Sequence, residues 1–565
     1  MTGYADHTLY DGARHRLRAQ LLLLLLVAAL ALTGCSGAGD VAGDEGGGEV
    51  SSSASTAAED AGGQTGAEAD DDGSDTTEAG GEDTLVIASS FPISSIDPTV
   101  EGYWAQGFGF GELLLRQTPD GVPESWVAAS AESVSDTEWE LTIHEGVTFQ
   151  NGNPVDADAV VAVLQAHVAA SDTLASALPD VAFEATGDLT VSVVTSEPAA
   201  NLPALLANEV VPVYDVAARE ALGEDPDEQA LMDAGLYTGP YRVVSLDASQ
   251  MVMDRNEDYW QGTPPLEQVT LAFIADDQSR ILAVRSGEVD VAMYAPTAAA
   301  AELEGAEDAI YTRAASGTLG PRATIQVQEP PTDDPLVRQA ISLAIDYESI
   351  ATDVLDGVAD VATGMYPADS AFAVENQVHD PEEAAARLDE AGWELGDDGV
   401  RTRGGEPLAI EIVAYQADPD MLPVATAMAA HLGEVGFDAS IREVDSSSAL
   451  YSEDLTGWHI GLFRTGFFGY GDILGLAQDL LGTEGAFNAG HIDDPEVNEM
   501  LADLNQAFDI DERDQLLAEL QERVIADQAY AFMVASRPIA MVVSPEWAGY
   551  EPSQFYINVD WQTAP

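Results

Sequence analysis

From Thr84 to the C-terminus, short apolar runs alternate with longer stretches that read as helices. The runs TLVIAS (84–89), WELTI (139–143), LTVSVV (189–194), YRVVSL (241–246), VTLAFI (269–274), VDVAMY (289–294), ATIQVQ (323–328), LAIEIVAY (408–415) and AYAFMV (529–534) predict strands. Three helices are predicted to open alike, at Asp334-Pro335, Asp380-Pro381 and Asp494-Pro495. In each, the aspartate can accept from free N–H groups, while proline supplies a ready φ at the first helical position. Glu382 and Glu383 suit the first turn of the second helix, and Gly392 its stop. After Pro335, the residues Val337, Ile341, Ala344 and Ile345 make one buried stripe. Strands and helices interleaved in this way predict α/β domains.

The N-terminal pattern is different. Residues 21–32 are unbroken apolar and follow Arg14, Arg16 and Arg18. The run falls short of the roughly 18–20 residues a membrane-spanning helix needs, so it reads as a secretory signal peptide. Its end, Leu32-Thr33-Gly34-Cys35, resembles the bacterial lipoprotein signal, which implies cleavage before Cys35 and a diacylglycerol on its sulfur. A plain signal peptide with an incidental cysteine is the alternative. Residues 36–83 are Gly, Ser, Thr, Ala and acid, with a few other residues but no aromatic or basic one, and cannot bury enough surface to offset chain entropy. They read as a self-repelling tether. Asp70-Asp71-Asp72 lacks the spacing of a calcium loop.

The 565 residues allow two or three domains, and the 46% apolar content is that of a globular protein. Cys35 is the only cysteine, which excludes internal disulfides and CxxC metal sites. The formal net charge is −80, and all 20 basic residues are arginine. Such a chain repels nucleic acid and anionic lipid. It also predicts adaptation to a saline, halophilic setting, where a Debye length of about 3 Å at about 1 M salt screens the repulsion. Genome composition explains missing lysine but not the excess of acids. No GxSxG elbow, HExxH or P-loop occurs. GFGFG (107–111) lacks dinucleotide-binding spacing and reads as a turn or loosely packed strand, and HEGVT (144–148) has no second histidine. No catalytic residue, resident metal or cofactor is expected.

The segment TEWELTIHEGVTFQNGNPVDADAVVAVL (137–164) resembles the hallmark of extracellular solute-binding proteins of ABC importers, the peptide and nickel class called family 5. Trp139, Leu141, Gly146, Val147, Phe149, Asn151, Gly152, Pro154, Ala157 and Val160 carry the likeness, with a helix opening at Asp156. His144 stands where the family usually has arginine. Further blocks follow in the family's order: TGPYRVVS (238–245), RNEDYWQGTPPLEQVTL (255–271), SRILAVRSGEVDVAMY (279–294), DPLVRQAISLAIDYESI (334–350) and DPEEAAARLDEAGW (380–393). The resemblance implies an α/β, two-lobed periplasmic-binding-protein-like fold (type II, large class with an extra subdomain) that closes at a hinge. The expected layout is signal peptide 1–34, tether 35–83, first lobe 84–325 with a subdomain near 119–205, second lobe 326–528, and a return to the first lobe over 529–565.

The segment GWHIGLFRTGFFGYGDI (457–473) is expected to face the cleft. Phe467 or Phe468 stands where peptide-binding relatives carry an aspartate for the peptide amine. A neutral ring cannot replace that carboxylate. FRTGFF instead resembles the Arg-Thr stretch of nickel-binding relatives, which implies that Arg464 grips a carboxylate while Phe467, Phe468 and Tyr470 form apolar walls. Tyr103 aligns with a cleft tyrosine of that subgroup, and Trp104 is its neighbour. Phe463 replaces the histidine before the Arg-Thr pair, an arginine near 205–212 is missing, and His459 and His491 suit surface or satisfied core positions better than metal ligation. A chelated metal, small peptide or other organic anion therefore fits better than a bare ion. For Arg464 the alternative is a structural ion pair, and for the aromatic residues it is core packing. The implied partners are ABC permease subunits and, through lipid, the outer face of the cytoplasmic membrane or the periplasmic space. An extracellular hydrolase with a carboxylate pair, or a sensory receptor on the same fold, are the rival readings.

Overall fold

The computed structural model describes residues 83–565 apart from 119–121, 179, 316, 318, 417, 453–454, 467–472, 551 and 553–558. The expected leader, Cys35, nearly all of the tether, and Phe467, Phe468 and Tyr470 lie outside the described residues.

Two sheets organise the two lobes. The first has seven strands in the order Ile310–Arg313, Ala540–Val543, Val291–Met293, Thr84–Ser89, Gln268–Phe273, Gln250–Arg255 and Tyr241–Leu246. Its middle three strands are parallel, with Ile87 opposite both Leu271 and Val291. Leu85 and Ile87 pack into one apolar cluster, and Val86 and Ala88 into another on the opposite face. Burial on both faces explains why this strand reads as a continuous apolar run.

The second sheet has five strands, Asp438–Val444, Ala409–Tyr415, Ile460–Thr465, Leu319–Ile325 and Ala531–Met533 in that order. The first three are parallel, with Ile412 opposite Ile441 and Ile460. The helix Pro335–Ala344 lays Val337, Ile341 and Ala344 into this lobe's core, with Ile345 just beyond its end. Asp334, Asp380 and Asp494 each accept a backbone N–H of the helix they open, at Leu336, Glu383 and Glu496.

A four-stranded antiparallel sheet, Ala128–Ser135, Glu138–Ile143, Thr190–Val194 and Ala182–Ala185, forms a separate body. Trp139, Leu141 and Val191 share its core with Val160 and Leu164 of the helix Ala157–Ala170. The Trp139 indole donates to the Ala199 carbonyl at 3.0 Å.

The chain crosses between the two large sheets twice, after Arg313 and before Ala540. These crossings correct the boundaries expected at 326 and 529. Leu319–Ile325 and Ala531–Met533 pair with each other inside the five-stranded sheet and so belong to the second lobe. An apolar run identifies a strand but not the sheet that receives it. The two crossings touch, with Arg537 N–H donating to the Leu319 carbonyl at 2.7 Å. Gly320 (φ +141°) lets them approach, since a Cβ there would lie 2.2 Å from the Ala535 carbonyl oxygen.

The GFGFG stretch is a tightly packed turn rather than a loose strand. Phe108 and Phe110 are buried, and Gly109 (φ +77°) leaves no room for a Cβ, which would stand 2.4 Å from the Val559 carbonyl oxygen.

Candidate functional site

The parallel strands of both sheets deliver their carboxyl ends to one cavity of about 310 Å³. Ser90 follows Thr84–Ser89, Asp277 follows Gln268–Phe273, and Tyr294 to Thr297 follow Val291–Met293. From the second lobe come Asp418, after Ala409–Tyr415, and Arg464, near the end of Ile460–Thr465. Leu319, where the first crossing enters its strand, and Arg537 of the second crossing also line it. The carboxyl ends of parallel strands are where open α/β sheets bind ligands, because the chain must turn there and leave a crevice.

Three arginines line the cavity, and their hydrogen bonding separates them. Arg280 is 2% exposed and donates to the carbonyls of Ile274, Ala275 and Met293 as well as to Asp277. It is engaged in holding the loops. Arg537 forks onto Asp418, at 2.6 Å and 3.2 Å, and also pairs with Asp420. Arg464 is different. Its Nε stands 3.8 Å from Asp418 Oδ2, and its guanidinium lies 4.7 Å from the centre of the Tyr294 ring. Among the described residues no hydrogen bond engages that guanidinium, so its donors face the cavity with only a long ion pair and a ring beneath them.

The electrostatics follow. Burial would raise the Asp418 carboxyl, but the charges of Arg537 and Arg464 outweigh it and hold the group below the usual carboxylate range. Burial likewise opposes the Arg537 charge, yet Asp418 and Asp420 push its pKa up. Burial pushes the Tyr294 hydroxyl up to about 12, against the pull of Arg464, so this tyrosine is neutral.

Of the described candidates from the sequence, Arg464 lines this cavity and Tyr103 and Trp104 do not. Trp104 is 6% exposed and belongs to the first lobe's core, stacked on Phe91 with centroids 4.6 Å apart. The short helix Trp104–Gly107 turns it inward. Tyr103 packs half-buried beside it, 5.0 Å between centroids, and Phe91 leads on to Tyr294 at 5.8 Å. Phe463 alternates with Arg464 on their strand, so it packs away from the cavity with Val413, Leu450 and Trp458. His459 accepts from Glu411 N–H at 3.0 Å, and His491 pairs with Gln326 at 2.8 Å. The His144 ring lies against Trp260. Sequence reasoning missed Tyr294, Asp418 and Arg537. The first two lie just past predicted strands VDVAMY and LAIEIVAY or at their end, which is a usable signal; Arg537 carries none.

The profile of bacterial extracellular solute-binding proteins, family 5 Middle, matches residues 122–480, well over half of the chain. The chain belongs to this family. The nickel-binding protein NikA of Staphylococcus aureus is 23% identical to this family 5 protein over 429 residues, 75% of this chain and 83% of the relative. A probable di/tripeptide-binding protein of Pseudomonas aeruginosa is 26% identical over 379 residues, 66% of this chain and 70% of the relative. The crystal structure of Brucella suis NikA in complex with Fe(III)-EDTA superposes with a TM-score of 0.74 at 21% identity, covering 85% of this chain and 99% of that one. The fold of the family 5 protein is thus the two-lobed type II architecture implied by its sequence. Among the described residues no group of three or more His, Cys, Asp or Glu stands close enough to hold a metal ion, and no helix is long and apolar enough to cross a membrane.

Proposed function

We propose that this family 5 protein is the receptor of an ABC importer and captures an organic anion, a metal chelate or a small peptide held by its carboxylate. The observation that carries this reading is Arg464. It is the one cavity-lining arginine of the described residues whose guanidinium is not already hydrogen-bonded. A guanidinium fork matches a carboxylate bidentately, and Tyr294 beneath it supplies a cation–π floor. Phe467, Phe468 and Tyr470 are proposed as apolar walls, and Tyr103 as a more distant contact. Relatives crystallised with Fe(III)-EDTA and with Ni(L-His)2 support the choice, since both chelates carry carboxylates. The absence of a three-residue metal cluster among the described residues favours a chelate over a bare ion.

In this reading the protein makes and breaks no bond. The carboxylates on the cavity, Asp277 and Asp418, are paired with Arg280 and Arg537, which suits neither a nucleophile nor a general base. Cys35 carries the lipid that keeps the receptor near its permease, and the acidic tether lets it range above the membrane.

Mass spectrometry of solute released from purified protein, with elemental analysis, tests the reading. The expected result is a carboxylate-bearing solute, saturable rebinding and no turnover. A released solute lacking any anionic group, or conversion of the solute on incubation, would overturn it.

A further inference from the structure

Five side chains link the two lobes through the cavity floor. Thr297 of the first lobe, 4% exposed, donates from Oγ1 to Asp420 Oδ1 of the second at 3.1 Å. The other Asp420 oxygen accepts from Arg537, which sits in one crossing and is tied by its backbone to Leu319 of the other. Arg537 also grips Asp418, and Asp418 in turn faces Arg464. Asp420 N–H donates to Asp418 Oδ1 at 3.1 Å, which sets the two carboxylates side by side.

The sharing at Asp418 is unequal. Its Oδ2 lies 2.6 Å from Arg537 but 3.8 Å from Arg464. The two aspartates and two arginines balance in charge, and a buried set of this kind is firm only when every partner is present. Thr297 and Asp420 belong to different lobes, so their hydrogen bond forms only when the lobes stand as they do here.

Building on the reading of Arg464 as the solute's contact, we propose that Asp418 is the positioning residue that couples solute capture to lobe closure. A solute carboxylate on Arg464 takes over the guanidinium that Asp418 meets only at long range. Asp418 then belongs to Arg537 alone. Arg537 in turn fixes the crossing and presents Asp420 to Thr297. Closure is thereby favoured by a solute that brings its own carboxylate, which makes Asp418 a determinant of specificity as well as of motion.

Leu282 and Leu395 are 59% and 60% exposed on the first and second lobes and suit spin labels in a Cys35→Ser background. Pulsed electron resonance on the protein as purified then reads the inter-lobe distance, with solute content measured alongside. The expected result is a short distance in the parent protein, and loss of that population in Asp418→Asn. Thr297→Val, which removes only the far end of the network, is expected to lengthen the distance in the same way, and it carries the test should Asp418→Asn not fold. A folded Asp418→Asn or Thr297→Val protein with the parent distance distribution overturns the proposal. Undiminished solute in Arg464→Ala would instead overturn the reading of Arg464, so the two failures are distinguishable.

Discussion

Arg464 and Arg280 lie on the same cavity, and what separates them is hydrogen bonding rather than position. If Arg464 holds the solute as proposed, replacing it with alanine is expected to remove a charge-assisted contact of about 1.5–3 kcal/mol, a loss of roughly 10- to 150-fold in affinity. Lysine is expected to restore only part of it, because a point charge cannot fork onto a carboxylate. Isothermal titration with the released solute reads both; equal affinity in all three proteins would remove Arg464 from the site. A second residue with a measurable signature is Glu112, fully buried and accepting from the Tyr259 hydroxyl at 2.6 Å and the Trp260 indole at 3.1 Å. Burial raises its carboxyl from 4.5 to about 7, despite these hydrogen bonds. A raised folded-state pKa means that the native protein keeps a proton the unfolded chain releases. Stability from this group is therefore full below about 4.5 and is lost as pH rises towards 7. Glu112→Gln keeps the shape without the ionisation. It is expected to melt on the order of 2 °C above the parent protein at pH 8 and to match it at pH 4.5. A gain of equal size at both pH values would show that ionisation of Glu112 has no part in it.

At the scale of elements, the predicted strands form, and the Asp-Pro helix starts appear with the aspartate accepting from the backbone as expected. These features are legible because they are local: a cap involves residues two or three apart, and a buried strand announces itself by its own apolar run. Asp380→Ala removes the acceptor 2.9 Å from Glu383 N–H and is expected to cost about 1 kcal/mol in urea unfolding. Asp380→Asn should retain most of that, since its amide oxygen can still accept. A loss as large in the asparagine variant would point away from capping. Illegible at this scale was the sheet assignment of Leu319–Ile325 and Ala531–Met533. Their partners lie on each other and on Ile460–Thr465, far apart in the chain.

For the whole molecule the governing quantity is charge, 100 acidic residues against 20 arginines. Mutual repulsion opposes compaction, and the Debye length shortens from about 10 Å at 0.1 M to about 3 Å at 1 M salt. The melting temperature is accordingly expected to rise over that range, and a salt-independent value would refute the halophilic reading. The same field acts on an approaching anion, which it repels even though Arg464 attracts it at short range. Stopped-flow association of an anionic solute should therefore speed up with salt, the reverse of ordinary electrostatic steering.

The sequence by itself determined the α/β class and the family, because strand runs, caps and ordered motif blocks are written in neighbouring residues, and it offered Arg464 as a candidate for holding a carboxylate. It also led to the proposals of a lipid on Cys35, from the likeness of LTGC to the lipoprotein signal, and of a tether before Thr84, both on residues that, Asp83 apart, lie outside those described. Only the tertiary structure decided that Trp104 and Phe463 pack into cores, and that the crossings fall near 314–318 and 534–539. It alone brought Thr297, Asp418, Asp420, Arg464 and Arg537 to one place. Those residues come from four separate segments, and no periodicity along a chain can report which strand ends a pair of sheets will turn towards the same crevice.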